Sequence, residues 1–389
     1  MEYVYPDYYS EFMCIADKCE NTCCSGWGIV IDRKTMKKYV NYNGEFRNRL
    51  LNSIDFDDSS FMQYDGKCAF LNEDNLCDII CETNSDMLCK TCRRYPRHYE
   101  EFENIREISL SISCPEACRI ILDNKNKVKL KREIKDMPEE MYEEFDFLLF
   151  TKLSDIRDLF FKIAYNRRYG IWQRMGILLA MGHDLDTRIR KGELFHIDRM
   201  LSRYEKERFI NLAAARIKEV SGVINSNTDI EDIRIKRREK NKLIKNLHRM
   251  EVLDRSFKKQ MTEYERILSD ISDKDYDRLY QKFLKYYKNG KFEYEQIFVY
   301  FLYIYYLGAV YDEREYDKVV FAVSNTIIIR EFDFAIWLKN NRLDFDMQVD
   351  FVHKFAREIE HSDLNLKYYE GLIKYNKEYK LNNILLGLF

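Results

Sequence analysis

Residues 146–166 read DFLLFTKLSDIRDLFFKIAYN. From Phe145 onward the apolar positions Leu148, Leu149, Leu153, Ile156, Leu159, Phe160 and Ile163 recur at steps of three and four, with Lys, Asp and Arg between them. That spacing draws one buried stripe along an α-helix. Pro138, shortly after Asp136 and directly before Glu139 and Glu140, suits the first turn of this helix, where a missing N–H costs nothing. The same periodicity downstream predicts helices around 171–182, 194–220, 240–270, 274–288, 293–310, 315–339, 346–361 and 364–380. Strand-like runs are few and early: Trp27–Asp32 (WGIVID) and Ile105–Ile112 (IREISLSI).

Composition points the same way. The 389-residue chain holds 13 Gly and 4 Pro against 29 Tyr and 25 Phe. So few turn-forming residues weigh against a β-sandwich, a propeller or an α/β barrel. With 46% hydrophobic and 33% charged residues, the chain is too apolar to be disordered. All eleven cysteines lie at or before Cys118, and the formal charge is −8 over residues 1–118 and +6 over the remainder. The expected fold is mainly α: a cysteine-rich metal-binding module with minor β content over residues 1–125, packed on a larger all-helical domain over residues 126–389.

The longest nearly uncharged apolar run, Ile297–Val310, is shorter than the roughly 20 residues that span a bilayer. The opening MEYVYPDYYSEF lacks the basic and apolar segments of a secretory leader. The expected protein is cytoplasmic, with no membrane partner. One basic run, IRIKRREKNKLIKN at 233–246, stands in a chain of net charge −2. It reads as a solvated helix rather than a nucleic-acid site.

In a reducing compartment clustered cysteines point to a metal rather than to disulfides. They fall into three groups: Cys14-x4-Cys19-x3-Cys23-Cys24; Cys68-x8-Cys77-x3-Cys81-x7-Cys89-x2-Cys92; and Cys114-x3-Cys118. Short spacings let two thiolates reach one centre, and separate groups close the shell. Neighbours such as Cys23 and Cys24 point apart in most conformations, so the two serve different centres or one of them packs inward. Tetrathiolate coordination suits zinc and an iron–sulfur cluster alike. Neither C-x3-C-x2-C nor a pair of C-x2-C steps is present, and His98 is the region's one histidine, which disfavours a Cys/His zinc finger.

These blocks carry a resemblance. FMCIADKCENTCCSGWGIVID (Phe12–Asp32), CAFLNEDNLCDII (Cys68–Ile80), LCKTCRRYPR (Leu88–Arg97) and SLSISCPEACRIIL (Ser109–Leu122) resemble the flagellin lysine-N-methylase (FliB) family. So do VYFLYIYYLGAVYD (Val299–Asp312) and FAREIEHSDLN (Phe355–Asn365). The first two blocks also resemble the wider family of C-x-x-x-C-x-x-C-C zinc- or iron-chelating proteins. The resemblance implies methylation of lysine side chains on flagellin, with S-adenosylmethionine as donor and a cysteine-bound iron–sulfur cluster, of the 4Fe–4S type, with zinc as the alternative metal. Its cysteine positions fall on Cys14, Cys19, Cys23, Cys24, Cys68, Cys77, Cys92 and Cys114. Cys81, Cys89 and Cys118 fit it less well and read as packing thiols. Eight ligands exceed the four that one such cluster takes: either there are two centres, or about half of these thiols are structural.

Lysine methylation needs a deprotonated amine, a donor held in line and water excluded. No glycine-rich turn after a strand marks a Rossmann-type donor site; the close pair Gly26 and Gly28 opens no helix. On a helix Arg357, Glu360 and His361 share a polar stripe beside the apolar one. Arg357 would clamp the donor carboxylate, Glu358 or Glu360 would orient or deprotonate the amine, and His361 would act as a base. The bland alternative is a solvated helix face. Tyr300 and Tyr303 are candidates to cage a cation, against the commoner reading of core tyrosines with satisfied hydroxyls. Arg93, Arg94 and Arg97 follow closely on Cys92. Arg97 is the cofactor-side candidate among them, to neutralise an anionic cluster or bind the donor carboxylate. The site is expected in a cleft between the two regions, with the cluster on one wall and Arg97 and the Arg357–His361 block on the other. The competing functions are a non-catalytic zinc- or iron-chelating protein and an iron–sulfur redox protein.

Overall fold

The computed structural model describes residues 1–137, 145–220, 230–288 and 290–389. Pro138 lies outside them. The chain opens with β1 (Glu2–Pro6) and then enters the cysteine segment, which is built from short pieces. These are α1 (Arg33–Val40), α2 (Arg47–Asn52), β2 (Ile54–Asp55) with β3 (Ser60–Phe61), β4 (Gln63–Tyr64) with β5 (Lys67–Cys68), α3 (Asp78–Glu82) and α4 (Lys90–Arg94). There follow β6 (Arg97–Phe102), β7 (Ile105–Leu110), α5 (Pro115–Asp123) and β8 (Leu130–Ile134). The four longer strands form one sheet in the order β6-β7-β1-β8, with β1 parallel to β7 and antiparallel to β8. The expected strand at Ile105–Ile112 is β7. Trp27–Asp32 forms no strand: Val30 makes one isolated bridge to Ser60, and Phe61 N donates to Ile29 O at 3.0 Å.

The remainder is helical: α6 (Phe147–Ala164), α7 (Ile171–Ile189), α8 (Phe195–Tyr204), α9 (Glu207–Val220), α10 (Ile230–Asn246), α11 (Arg255–Ser269), α12 (Asp273–Tyr286), α13 (Gly290–Tyr305), α14 (Glu315–Asn340), α15 (Phe345–Glu360), α16 (Asp363–Tyr375) and α17 (Leu381–Leu388). Local chemistry sets several starts. Asp146, Asp254, Ser272, Asp344 and Ser362 each accept a backbone N–H of the first turn of the helix they precede, which satisfies a donor the helix leaves orphaned. The Asp254 cap divides the helix expected over 240–270 into α10 and α11. The one expected over 194–220 divides at Glu205 and Lys206 into α8 and α9.

Helix α14 is the axis of the domain. Its 26 residues are buried from Tyr316 to Ile336 apart from Asp317 and Lys318, and α7, α10, α11, α13 and α16 pack around it. A helix apolar on every side belongs in the middle of a core. Two of its buried charged residues are paired there: Glu331 meets Lys240 at 3.1 Å, and Arg330 donates to Leu388 O and Gly387 O at 2.8 and 3.1 Å. The second contact pins α17, which the sequence pattern did not announce.

There are two main cores. Ile29, Ile31, Tyr39, Phe46, Leu50, Ile54, Phe61, Phe70, Ile79 and Met87 form a small one inside the cysteine segment. Tyr8, Phe102, Leu110, Ile112 and α5 belong instead to the large helical core. Residue 125, near which the boundary is expected, lies between α5 and β8, and β8 returns to pair with β1. A buried two-pronged pair, Arg157 Nη1 and Nη2 to Glu107 at 2.7 and 2.5 Å, fastens the sheet to α6.

Candidate functional site at the junction of the two cores

Phe351, Val352, Phe355, Ala356 and Ile359 bury the apolar face of α15, which fixes the direction of the polar residues at its C-terminal end. Arg357 reaches back to the cysteine segment. Its guanidinium donates to Asn21 O at 3.0 Å, Ser113 O at 3.4 Å and Thr22 O at 3.5 Å. One side chain therefore ties the loop before Cys23 to the loop before Cys114. Gly26 faces it in the left-handed region (φ +85°), and an added Cβ there would lie 4.0 Å from Arg357 Cδ.

The neighbouring residues point to different surroundings. Glu358 accepts Leu253 N at 3.0 Å and Asp254 N at 2.6 Å; burial pushes its carboxyl up to about 7, against the pull of these two donors. Glu360 accepts from Tyr300 at 2.9 Å, Tyr305 at 3.2 Å and Ser111 Oγ at 3.2 Å, and burial raises its pKa. His361 Nε2 shares a 2.8 Å hydrogen bond with Ser113 Oγ, which is 2.6 Å from Ser111 Oγ. Its ring packs 4.4 Å from Trp27 and edge-on to Tyr95 at 5.6 Å. Burial and then the nearby Arg357 charge hold the imidazole down to about 3, so it is neutral at physiological pH. Trp27 in turn donates Nε1 to Cys23 O at 2.8 Å. Glu360, Ser111, Ser113 and His361 thus form one hydrogen-bonded line ending against the cysteine loop.

Beside this line lies a cleft of about 670 Å³, with Gly26, Glu20 and Lys67 on the cysteine side and Arg255, Lys354, Arg357 and Glu358 on the helical side. A second cavity of about 440 Å³ runs along Cys19, Glu116, Asp350 and His353. Arg357 and Glu358 therefore reach the first cleft. Arg97 does not line it: on β6, its guanidinium lies 5.5 Å from the Phe12 ring and 5.9 Å from Tyr9. Tyr300 is occupied by Glu360 and by Ile112 N at 3.1 Å. Tyr303 sits under Arg157 (5.2 Å), with its hydroxyl toward Val4 O and Ile108 O.

The thiols fall into two neighbourhoods. Cys24, Cys68, Cys77, Cys89 and Cys92 pack in or against the small core. Cys114 and Cys118 belong to the large one, and Cys118 donates to Val349 O at 3.8 Å. Cys14 and Cys81 are exposed. Burial raises Cys68 to about 12 and Cys77 and Cys114 to about 11; the charges of Cys19 and Cys14 push Cys114 in the same direction. Cys24 falls to about 7 because Cys23 donates to it, and Cys89 to about 7 because Cys92 does. Among the described residues no three His, Cys, Asp or Glu side chains converge on one point at ligand distance. As a donor set the thiols suit a thiophilic metal, and the Arg357 charge favours thiolate at Cys19 against the burial that raises it.

The spacing argument did not single out Trp27, Tyr95, Ser111, Ser113, Lys67, Arg255 or Lys354. Only the alternation SLSISC carried a trace of them, since Ser111 and Ser113, two apart, share a side of an extended chain.

Residues 157–387 match the model of the FliB lysine N-methylase C-terminal domain. The flagellar biosynthetic protein FliU of Salmonella muenchen is 30% identical over 138 residues, 32% of this chain and 79% of that protein. The lysine-N-methylases of Salmonella typhimurium and Salmonella choleraesuis are each 27% identical over 141 residues, 33% of this chain, and the match spans 34% of their length. No solved structure matches. No helix among the described residues is long and apolar enough to cross a membrane. With its matched region covering more than half of its length, the chain belongs to the FliB lysine N-methylase family.

Proposed function

We propose that this protein transfers methyl groups from S-adenosylmethionine to lysine side chains of flagellin, in the cytoplasm, and that it depends on a cysteine-bound iron–sulfur cluster. The observation that carries the reading is Arg357: it lines the 670 Å³ cleft and is hydrogen-bonded to the carbonyls flanking both Cys23 and Cys114. The names of the Salmonella lysine-N-methylases support the reaction.

The donor, when bound, supplies an electrophilic methyl on a sulfonium. Its carboxylate and ammonium ask for both signs of charge in one cleft, and that cleft is lined by Arg255, Lys354 and Arg357 as well as Glu20 and Asp65. Arg357 would hold the carboxylate. Glu358, at about 7, would take the proton of the lysine ammonium near neutral pH, freeing the lone pair that forms the N–C bond as the C–S bond breaks. His361, neutral and packed on Trp27, would position the loop that carries Cys23. Cys14, Cys19, Cys23 and Cys114 would hold the cluster, whose net negative charge the Arg357 guanidinium offsets.

The test is co-expression with flagellin, read by intact mass. Increments of about 14 Da on flagellin that vanish with Arg357→Ala support the proposal; an unchanged flagellin mass defeats it.

A further inference from the structure

We propose that the 440 Å³ cavity is a second cation site, which takes a second lysine side chain of the substrate polypeptide while the reacting lysine lies in the 670 Å³ cleft. The inference rests on the methyl transfer proposed above for what the first cleft holds; the cavity itself stands without it.

The floor of the cavity carries the argument. His353 lines it from α15 and is 1% exposed, yet neither of its ring nitrogens has a hydrogen-bond partner among the described residues. Asp350 Oδ1 stands 3.6 Å from Nε2, too far for a hydrogen bond. Buried polar groups are nearly always satisfied, so an orphaned ring at the floor of a cavity marks a place for a donor from outside. Burial favours the neutral ring, and a neutral imidazole offers one nitrogen as an acceptor.

The walls set the sign of that donor. Glu20, Glu116, Asp346 and Asp350 line the cavity with two cations, Lys18 and Arg119. Arg119 is paired with Asp346 at 2.6 Å, and Asp350 with Lys354 at 2.6 Å, which leaves Glu20 and Glu116 against Lys18. Glu20 and Asp346 are exposed, whereas Val349 is buried like His353. An acidic mouth, a wall of Val349 and Pro115 and an acceptor at the floor match a lysine, with methylenes on the wall and the ammonium at the floor. Of the thiols proposed to hold the cluster, Cys19 lines the cavity while Cys14, Cys23 and Cys114 do not. The cavity therefore lies beside those thiols rather than between them.

The two hollows are neighbours. Glu20 and Asn21 line both, and Lys354, the partner of Asp350, lines the first. On α15, Asp350 precedes Arg357 by seven residues, about two turns or ~10 Å. An extended polypeptide covers that distance in about three residues. The substrate class is thus a segment with a second lysine about two to four positions from the methylated one.

The experiment uses the full-length protein and two synthetic peptides. One carries Lys-Gly-Gly-Lys; the other has norleucine, which keeps the stem and lacks the ammonium, in place of the second lysine. Binding is read by calorimetry and methylation by mass. Wild type should bind the dilysine peptide about tenfold more tightly and methylate it with a lower KM at the same kcat. His353→Leu and Glu116→Gln should each bring the dilysine peptide down to the norleucine peptide and leave the latter unchanged. Because His353 is buried and its variant risks misfolding, Glu116→Gln, at a half-buried position on α5, carries the test by itself. Equal binding and equal KM for the two peptides overturn the second site while methyl transfer stands. An equal loss for both peptides in Glu116→Gln, or no measurable binding of either, overturns it too. A dilysine advantage in binding that both variants abolish, with neither peptide methylated, supports the second site while sinking the proposed reaction.

Discussion

The Arg357 guanidinium donates to Asn21 O at 3.0 Å, across 336 positions of sequence. It belongs to the helical domain, and its acceptors belong to the loops around Cys23 and Cys114. Removing a charged donor that satisfies three carbonyls costs about 2–3 kcal/mol. Arg357→Ala should therefore lower Tm and speed amide exchange in the segment from Asn21 to Gly26, whereas exchange within α14 should stay as it was. Unchanged exchange at the cysteine loop would show that Arg357 does not hold it.

The sheet is fastened in a similar way. Arg157 and Glu107 are both buried, and burial works against the Arg157 charge until Glu107 outweighs it. Breaking a buried pair by removing one partner costs about 3–5 kcal/mol. Glu107→Ala should destabilise the protein by that order in urea titration, and the double change Glu107→Leu with Arg157→Met should recover most of the loss. A double variant as unstable as the single one would contradict the pairing argument.

His361 gives a pH signature. Its folded pKa is about 3, below the ordinary value of about 6.5. Between those values the unfolded chain takes up a proton that the folded chain refuses, so stability rises with pH through this window and is fully present above about 6.5. Wild type should be the more stable protein relative to His361→Gln at pH 7.5. That advantage should shrink by about 1 kcal/mol on going to pH 4.5, discounting for the ring's partial exposure. Glu358 contributes with the opposite sign, since its raised carboxyl favours the folded state at low pH, but it does so equally in both chains. A constant difference across the range would mean that His361 is not held neutral.

Periodicity found most of the helical domain because α6, α14 and α15 each place large apolar residues at helical steps. It failed where a cap decided the outcome: α10 ends at Asn246 and Asp254 starts α11 within a run that reads as continuous. It failed again at Trp27–Asp32, where a β-rich run meets only one bridge to Ser60. For the site, one helical stripe suggested that Arg357, Glu360 and His361 work together. The structure gives each its own surroundings, the cysteine loop for Arg357, the Tyr300–Tyr305 hydroxyls for Glu360 and the Trp27–Tyr95 rings for His361, and joins them through Ser111 and Ser113. None of those partners is near in sequence, so no local pattern carried them.

The central claim is tested most directly by incubating the anaerobically purified protein with flagellin and S-adenosylmethionine carrying a deuterated methyl group, then reading flagellin by intact mass and peptide mapping. The account expects increments of about 17 Da confined to lysines, reduced at least tenfold by Arg357→Ala and by Cys23→Ser. Flagellin that keeps its mass with metal-loaded, folded protein, or label found on residues other than lysine, would contradict it.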